Sequence, residues 1–131
     1  IKIMKKIMYL LKDTKLLRVK IEDNLKSYYE ILKCDLIETL NININNNKYT
    51  FIFDEEGKLK ENYINLVFID KNNKQIDYIT NHLIIQKYDY LNDEVIDLTN
   101  DDFINIQTWY KNCKKLIDFE NCRYVPTIEI Y

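Results

Sequence analysis

Apolar and polar positions alternate through Leu16-Leu17-Arg18-Val19-Lys20-Ile21. Leu17, Val19 and Ile21 then share one face and Arg18 and Lys20 the other, the two-residue period of a half-buried antiparallel strand. Residues 8–11 are apolar throughout, and Asp13-Thr14-Lys15 lies between the two runs, so the chain opens with a hairpin. A helical period follows. Leu25, Tyr28, Tyr29 and Leu32 form a core-facing stripe, with Asp23 or Asn24 as N-cap, and predict a helix over about 24–33. Alternation returns from Leu40 to Ile44. Asn45-Asn46-Asn47 makes a turn because asparagine tolerates positive φ, and Tyr49-Thr50-Phe51-Ile52-Phe53 comes back as the partner strand.

Asp54-Glu55-Glu56-Gly57-Lys58 interrupts the pattern and holds the only glycine of the chain, which points to a left-handed backbone there. Residues 59–65 favour no element. Residues 66–69 and 75–79 flank the polar run Asp70-Lys71-Asn72-Asn73-Lys74 and fit either a second hairpin or a helical turn and a loop, while 83–88 read as a buried strand. Phe103, Ile106, Tyr110, Cys113 and Leu116/Ile117 recur at helical spacing. Thr99, with Asp102 three residues on, is an acidic form of the capping box. Asp101 and Asp102 suit the positive end of a helix dipole, and Lys111, Lys114 and Lys115 the negative end, so a helix is expected over about 100–117. The tail Arg123-Tyr124-Val125-Pro126-Thr127-Ile128-Glu129-Ile130-Tyr131 is expected to add an edge strand, where the donor that Pro126 lacks would face solvent.

These elements make an α+β fold: a mixed, mainly antiparallel sheet with two helices in a single compact domain. Residues 1–111 form the body and 112–131 a C-terminal extension. A tail strand with a free edge could pair with its copy in a second chain, which gives a two-fold homodimer as an expectation.

The chain has 131 residues, 19 Lys+Arg against 21 Asp+Glu, and a net charge of -2. That balance argues against a protein that coats nucleic acid, which needs a basic excess, and against a strongly acidic mimic of it; direct nucleic-acid binding is not expected. At 47% hydrophobic the chain can close a core. It has no alanine and abounds in Ile, Asn, Lys and Tyr, residues of A/T-rich codons, so composition reflects the source genome before it reflects structure. No run approaches the roughly 18–20 apolar residues of a membrane span. The opening Ile1-Lys2-Ile3-Met4-Lys5-Lys6 leads into an apolar patch that Lys12-Asp13 ends, which does not resemble a signal peptide. A cytoplasmic protein without membrane contact is the expectation.

Candidate chemistry is sparse. Cys34, Cys113 and Cys122 have no C-x-x-C spacing, and His82 is remote from all three, so neither a metal site nor another cofactor is expected. Reduced structural thiols are the default; a Cys113–Cys122 disulfide is open to a tail that folds back. Ser27 falls mid-helix on the polar side, and the sequence contains no nucleophile elbow, zinc-protease helix or glycine-rich phosphate loop. The carboxylates 54–56 and 101–102 are more simply a solvated turn and a helix cap. The expectation is a protein that is not an enzyme. Eleven tyrosines and one tryptophan are many for a domain of this size, and their polar tips want water or partners. Trp109, Tyr110, Arg123, Tyr124 and Tyr131 concentrate near the tail and are the candidate binding residues, since exposed Tyr, Trp and Arg anchor protein interfaces. Their packing of the last helix onto the sheet is the competing reading.

From about Met4 to Lys111 the chain resembles the domain of unknown function 3846 family, small proteins of bacteriophages, plasmids and integrative elements of Firmicutes. Asp54-Glu55-Glu56-Gly57-Lys58-Leu59 looks like the family's acidic–acidic–glycine–lysine turn, Asn65 its asparagine after a leucine, residues 70–77 its second polar turn, 83–85 its buried strand and 97–102 its helix start. Asn81 stands where the family tends to have glycine, and Leu66 where an arginine often follows Asn65; the residues from Asn112 onward do not resemble it. The resemblance carries no established activity. It implies a mobile-element protein that binds a host protein or ribonucleoprotein complex, most concretely an inhibitor of a host defence system such as an anti-CRISPR protein. A sequestering sponge for a signalling nucleotide and an accessory protein of element maintenance or conjugation are the alternatives.

Overall fold

The computed structural model describes residues 4–60, 63–118 and 123–130. The opening hairpin is β1 (Lys5–Lys12) and β2 (Lys15–Glu22), joined by Asp13 and Thr14, both in the left-handed region at φ 50° and 66°. The same two-residue device, Asn45 and Asn46 at φ 50° and 65°, joins β3 (Ile37–Ile44) to β4 (Asn47–Asp54). Paired left-handed residues match the twist of the strands they connect. Between the hairpins lies α1 (Leu25–Leu32), whose N-cap is Asn24.

The ambiguous segment is a hairpin, β5 (Ile64–Ile69) and β6 (Gln75–Thr80). Asn81 then turns the chain at φ 62°, the conformation a glycine at that place would supply, and β7 (Leu83–Asp89) follows. A short strand that the pattern does not announce, β8 (Glu94–Ile96), pairs with the far half of β7.

The strands form two sheets. The first runs β2-β1-β7-β4-β3, all neighbours antiparallel, with β7 at its centre. One face carries Met8, Leu10, Ile52 and Ile84 against Tyr28 and Leu32 of α1. The opposite face carries Tyr9, Leu11, Phe51 and Leu83. It is covered by α2 (Asn100–Asn112) through Phe103, Ile106 and Trp109, and by the second sheet through Leu66, Phe68 and Ile128. Asn65, buried at the start of that sheet, donates its side-chain amide to the Leu11 carbonyl at 3.1 Å, tying the sheets together.

Four expectations are corrected. The helix expected over 100–117 ends at Asn112, and β9 (Lys114–Asp118) takes up Leu116 and Ile117. The backbone leaves helical register because the Cys113 carbonyl accepts from both the amide and the hydroxyl of Thr127. The tail strand β10 (Arg123–Glu129) is not an edge. The second sheet runs β6-β5-β10-β9, with β10 parallel to β5 and antiparallel to β9. Pro126 fits there because it closes the β9 ladder and immediately precedes the β5 ladder, where a missing donor costs least. Gly57 has no positive φ; it sits in a single 3-10 turn where a Cβ would lie 2.5 Å from the Thr80 hydroxyl, so closeness rather than handedness demands glycine. Leu25 and Leu17, placed on core stripes by periodicity, are exposed, the first at the start of α1 and the second on an edge strand.

The remaining pattern holds. The capping box of α2 is complete, Thr99 and Asp102 each bonding the other's backbone amide. The architecture is α+β, mainly antiparallel, with two helices among the described residues, and none of its helices is long and apolar enough to cross a membrane.

Candidate functional site

Of the tail candidates, Trp109 and Tyr110 are buried and Tyr124 is exposed. Trp109 is 6% exposed and donates its indole N–H to the Thr127 carbonyl at 3.0 Å. Tyr110 is 8% exposed and its hydroxyl donates to the Thr14 carbonyl. Both hold α2 between the sheets, the packing role that competed with the binding one. Tyr124 is exposed on β10. Arg123 opens β10, its side chain outside the described residues, as are Tyr131 and Cys122, and with Cys122 the disulfide considered for it.

Two of the buried polar groups, Asp102 and Gln86, hold the layers. Asp102 accepts from Thr99, from the Tyr49 hydroxyl at 2.9 Å and from the Lys87 ammonium at 2.9 and 3.0 Å. Burial pushes its carboxyl up, but those donors outweigh burial and hold it below the usual range. On the other face, Gln86 donates to the Tyr28 hydroxyl at 2.6 Å, and Tyr28 donates to Asp23. Burial, with Asp23 beside it, pushes the Tyr28 phenol far up. The thiols of Cys34 and Cys113 are raised, chiefly by burial, so they stay protonated at neutral pH and are poor nucleophiles. His82 is buried, and burial together with the Lys12 ammonium holds it below its ordinary value. Among the described residues no three Cys, His or carboxylate side chains converge as metal ligands.

The surface feature that stands out is the connection from β7 to β8. Leu91 there is 97% exposed and Tyr90 54%. They are held in place from beneath. The Asp89 carboxylate accepts the amides of Leu91 at 3.0 Å and Asn92 at 3.3 Å, and the Asn92 side chain at 2.7 Å. These donors hold Asp89 ionised below its usual range. Asp93 turns the chain at φ 51° and accepts from the Tyr88 hydroxyl, which its carboxylate pushes up to about 12. Tyr90 meets Tyr88 edge to face at 5.0 Å, and the Lys48 ammonium lies 5.1 Å from its ring centre. Beside this tip runs an open groove of about 480 Å³ whose lining includes Glu22, Asp23, Asp93 and Glu94, with Lys6 the only basic residue among the described ones there.

The arrangement is suited to docking: an apolar tip with a fixed backbone, next to a concave acidic surface. The aromatic count drew attention to the tail and missed it. The signal was present in Tyr88-Asp89-Tyr90-Leu91-Asn92-Asp93, where a leucine stands among turn-forming Asp and Asn with no helical or strand period to bury it.

A family model described as a domain of unknown function (DUF3846) matches residues 4–113. No curated protein and no solved structure matches the chain.

Proposed function

The chain belongs to the DUF3846 family, and from that premise we propose that it works by binding: a protein of a phage or other mobile element that docks on a host macromolecule, most concretely to inhibit a defence complex such as a CRISPR nuclease. It performs no bond chemistry of its own. The observation that carries the reading is the β7–β8 tip. Tyrosine and leucine offered on a backbone already fixed by Asp89 lose little freedom on binding, and such pre-organised anchors concentrate interface energy. The acidic groove beside them favours a partner with a basic surface and disfavours nucleic acid itself. Complexes that hold a guide duplex present basic channels of that kind.

The test is capture of a purified host CRISPR nuclease complex by the full chain, together with DNA cleavage in its presence. Capture and inhibition are expected, both lost in Leu91→Asp and reduced at least tenfold in Tyr90→Ala. Undiminished cleavage with no capture would sink the reading. A large thermal shift with cyclic or linear nucleotides would replace it with the nucleotide sponge, and capture of a replication or transfer protein with a maintenance role.

A further inference from the structure

A two-fold pair through the tail is closed to this chain, since β10 lies between β5 and β9. A different edge is open. β3 ends the first sheet and, among the described strands, pairs with β4 alone. Its ladder runs without a register shift from Ile37 with Asp54 to Ile44 with Asn47. The two-residue turn closes on Ile44 and Asn47, so Ile44, Ile42, Leu40 and Glu38 direct their backbone groups to β4. Asn43, Asn41, Thr39 and Ile37 direct theirs outward. An unpaired row of this kind is a template for another strand, and proteins commonly guard it with charge or irregularity. The other edges are guarded. β2 carries Lys15, Arg18 and Lys20, and either central register with its own copy sets Arg18 opposite a cation. The pairing of β6 with β5 shifts register twice, and β9 begins with Lys114 and Lys115 and shifts against β10. From Thr39 to Asn47, β3 and its turn hold no charged residue at all.

We propose that β3 pairs antiparallel with β3 of a second copy about a two-fold axis at Asn41, joining two sheets into one. An axis perpendicular to the sheet keeps like faces together, so residues of the same face meet. Leu40 then lies opposite the partner's Ile42, on the face that α2 covers. On the other face the exposed Thr39 lies opposite the partner's Asn43, and Asn41 opposite the partner's Asn41. Each of these last pairs joins two outward-facing residues and is a hydrogen-bonded one. Glu38, the only charge on the strand, falls opposite the partner's Ile44 and not opposite another carboxylate. Asn41 is already oriented: its amide oxygen accepts from the Thr50 hydroxyl at 3.0 Å, which leaves its NH2 for the partner's amide. One strand pair buries less than the roughly 1,200 Å² of a standard interface, so a weak dimer, half-formed at about 10–100 µM, is expected.

The pairing is independent of the β7–β8 tip, and its test does not need a host partner. Sedimentation equilibrium of the full chain is followed from micromolar to millimolar concentration. The mass should rise from one chain to two and stop there, and amide exchange at Thr39, Asn41 and Asn43 should slow over the same range. Asn41→Lys and Asn41→Asp each set like charges across the axis at an exposed position. Each should weaken pairing about tenfold or more, and a melting temperature held at low concentration shows that the variant is folded. An equal mixture of the two variants sets opposite charges across the axis and should restore pairing to within about threefold. Lys20→Glu, on the β2 edge, should leave it unchanged. A single-chain mass throughout, growth beyond two chains, pairing that survives Asn41→Lys, or a mixture no better than either variant alone would overturn the proposal.

Discussion

The Lys87 ammonium lies 3.0 and 2.9 Å from the two carboxylate oxygens of Asp102, and the residue before it on β7, Gln86, reaches the other helix through Tyr28. Two consecutive residues of the central strand thus secure α2 on one face and α1 on the other. Side chains alternate across a strand, so the pair serves both faces.

Asp102→Ala removes the partner of Lys87, Tyr49 and Thr99 at once. The expected loss is about 3–4 kcal/mol in a urea titration, a lost cap plus a stranded buried donor set. Lys87→Met should cost less, about 1–2 kcal/mol, and the double variant should be less damaging than the sum. The folded-state carboxyl is depressed, so this contribution is complete above the unfolded value of about 4 and is lost as pH falls through the folded one.

His82 gives a second limb of acid sensitivity at higher pH. Its imidazole is buried with Nδ1 unpartnered among the described residues. Burial and the nearby Lys12, reinforced by Lys33 and opposed by Asp13, lower its affinity for a proton. The folded value lies below the unfolded one, so stability is full above about pH 6.5 and falls as pH drops toward the folded value. The urea midpoint should decline as pH falls below about 6.5, and His82→Gln should flatten that decline.

Gly57→Ala tests whether closeness or backbone handedness fixes the glycine. A methyl placed 2.5 Å from the Thr80 hydroxyl should cost about 1–3 kcal/mol. Thr80→Ala in the same chain should recover most of that loss. A stabilised Gly57→Ala would show that the turn yields freely.

Thr14 is a β-branched residue at φ 66°, a conformation that costs about 1–2 kcal/mol for a residue with a Cβ. Thr14→Gly should raise the melting temperature by roughly 3–5 °C. The bond that the Thr14 carbonyl accepts from Tyr110 is to the backbone and survives the change.

Local structure was legible wherever two independent signals coincided. The first two hairpins combined a two-residue period with Asp, Asn or Thr at the turn, and both helix starts combined a cap with an apolar stripe, whereas residues 66–79 fitted a hairpin or a helical turn equally well. The end of α2 had no such agreement: Leu116 and Ile117 are adjacent, and continue a helix or enter a strand equally well. The division into two sheets was also invisible, because it rests on pairings such as Val67 with Thr127 that leave no local trace. That division is what buries Trp109 and Tyr110, while the exposed Tyr90 and Leu91 lie elsewhere, on the β7–β8 connection. The exposed β7–β8 tip was readable only as a leucine out of place among turn formers.

The parallel pairing of β5 with β10 also sets an order of assembly. During synthesis β1 and β4 each keep a flank open until β7 emerges, but β5 keeps one open longer, until the distant residues 123–129 emerge. Such a late, non-local closure slows folding, and the waiting flank is a template for stray strands. Release of a nascent chain before that segment appears would therefore leave a sticky, half-built protein, with β5 still lacking its β10 neighbour.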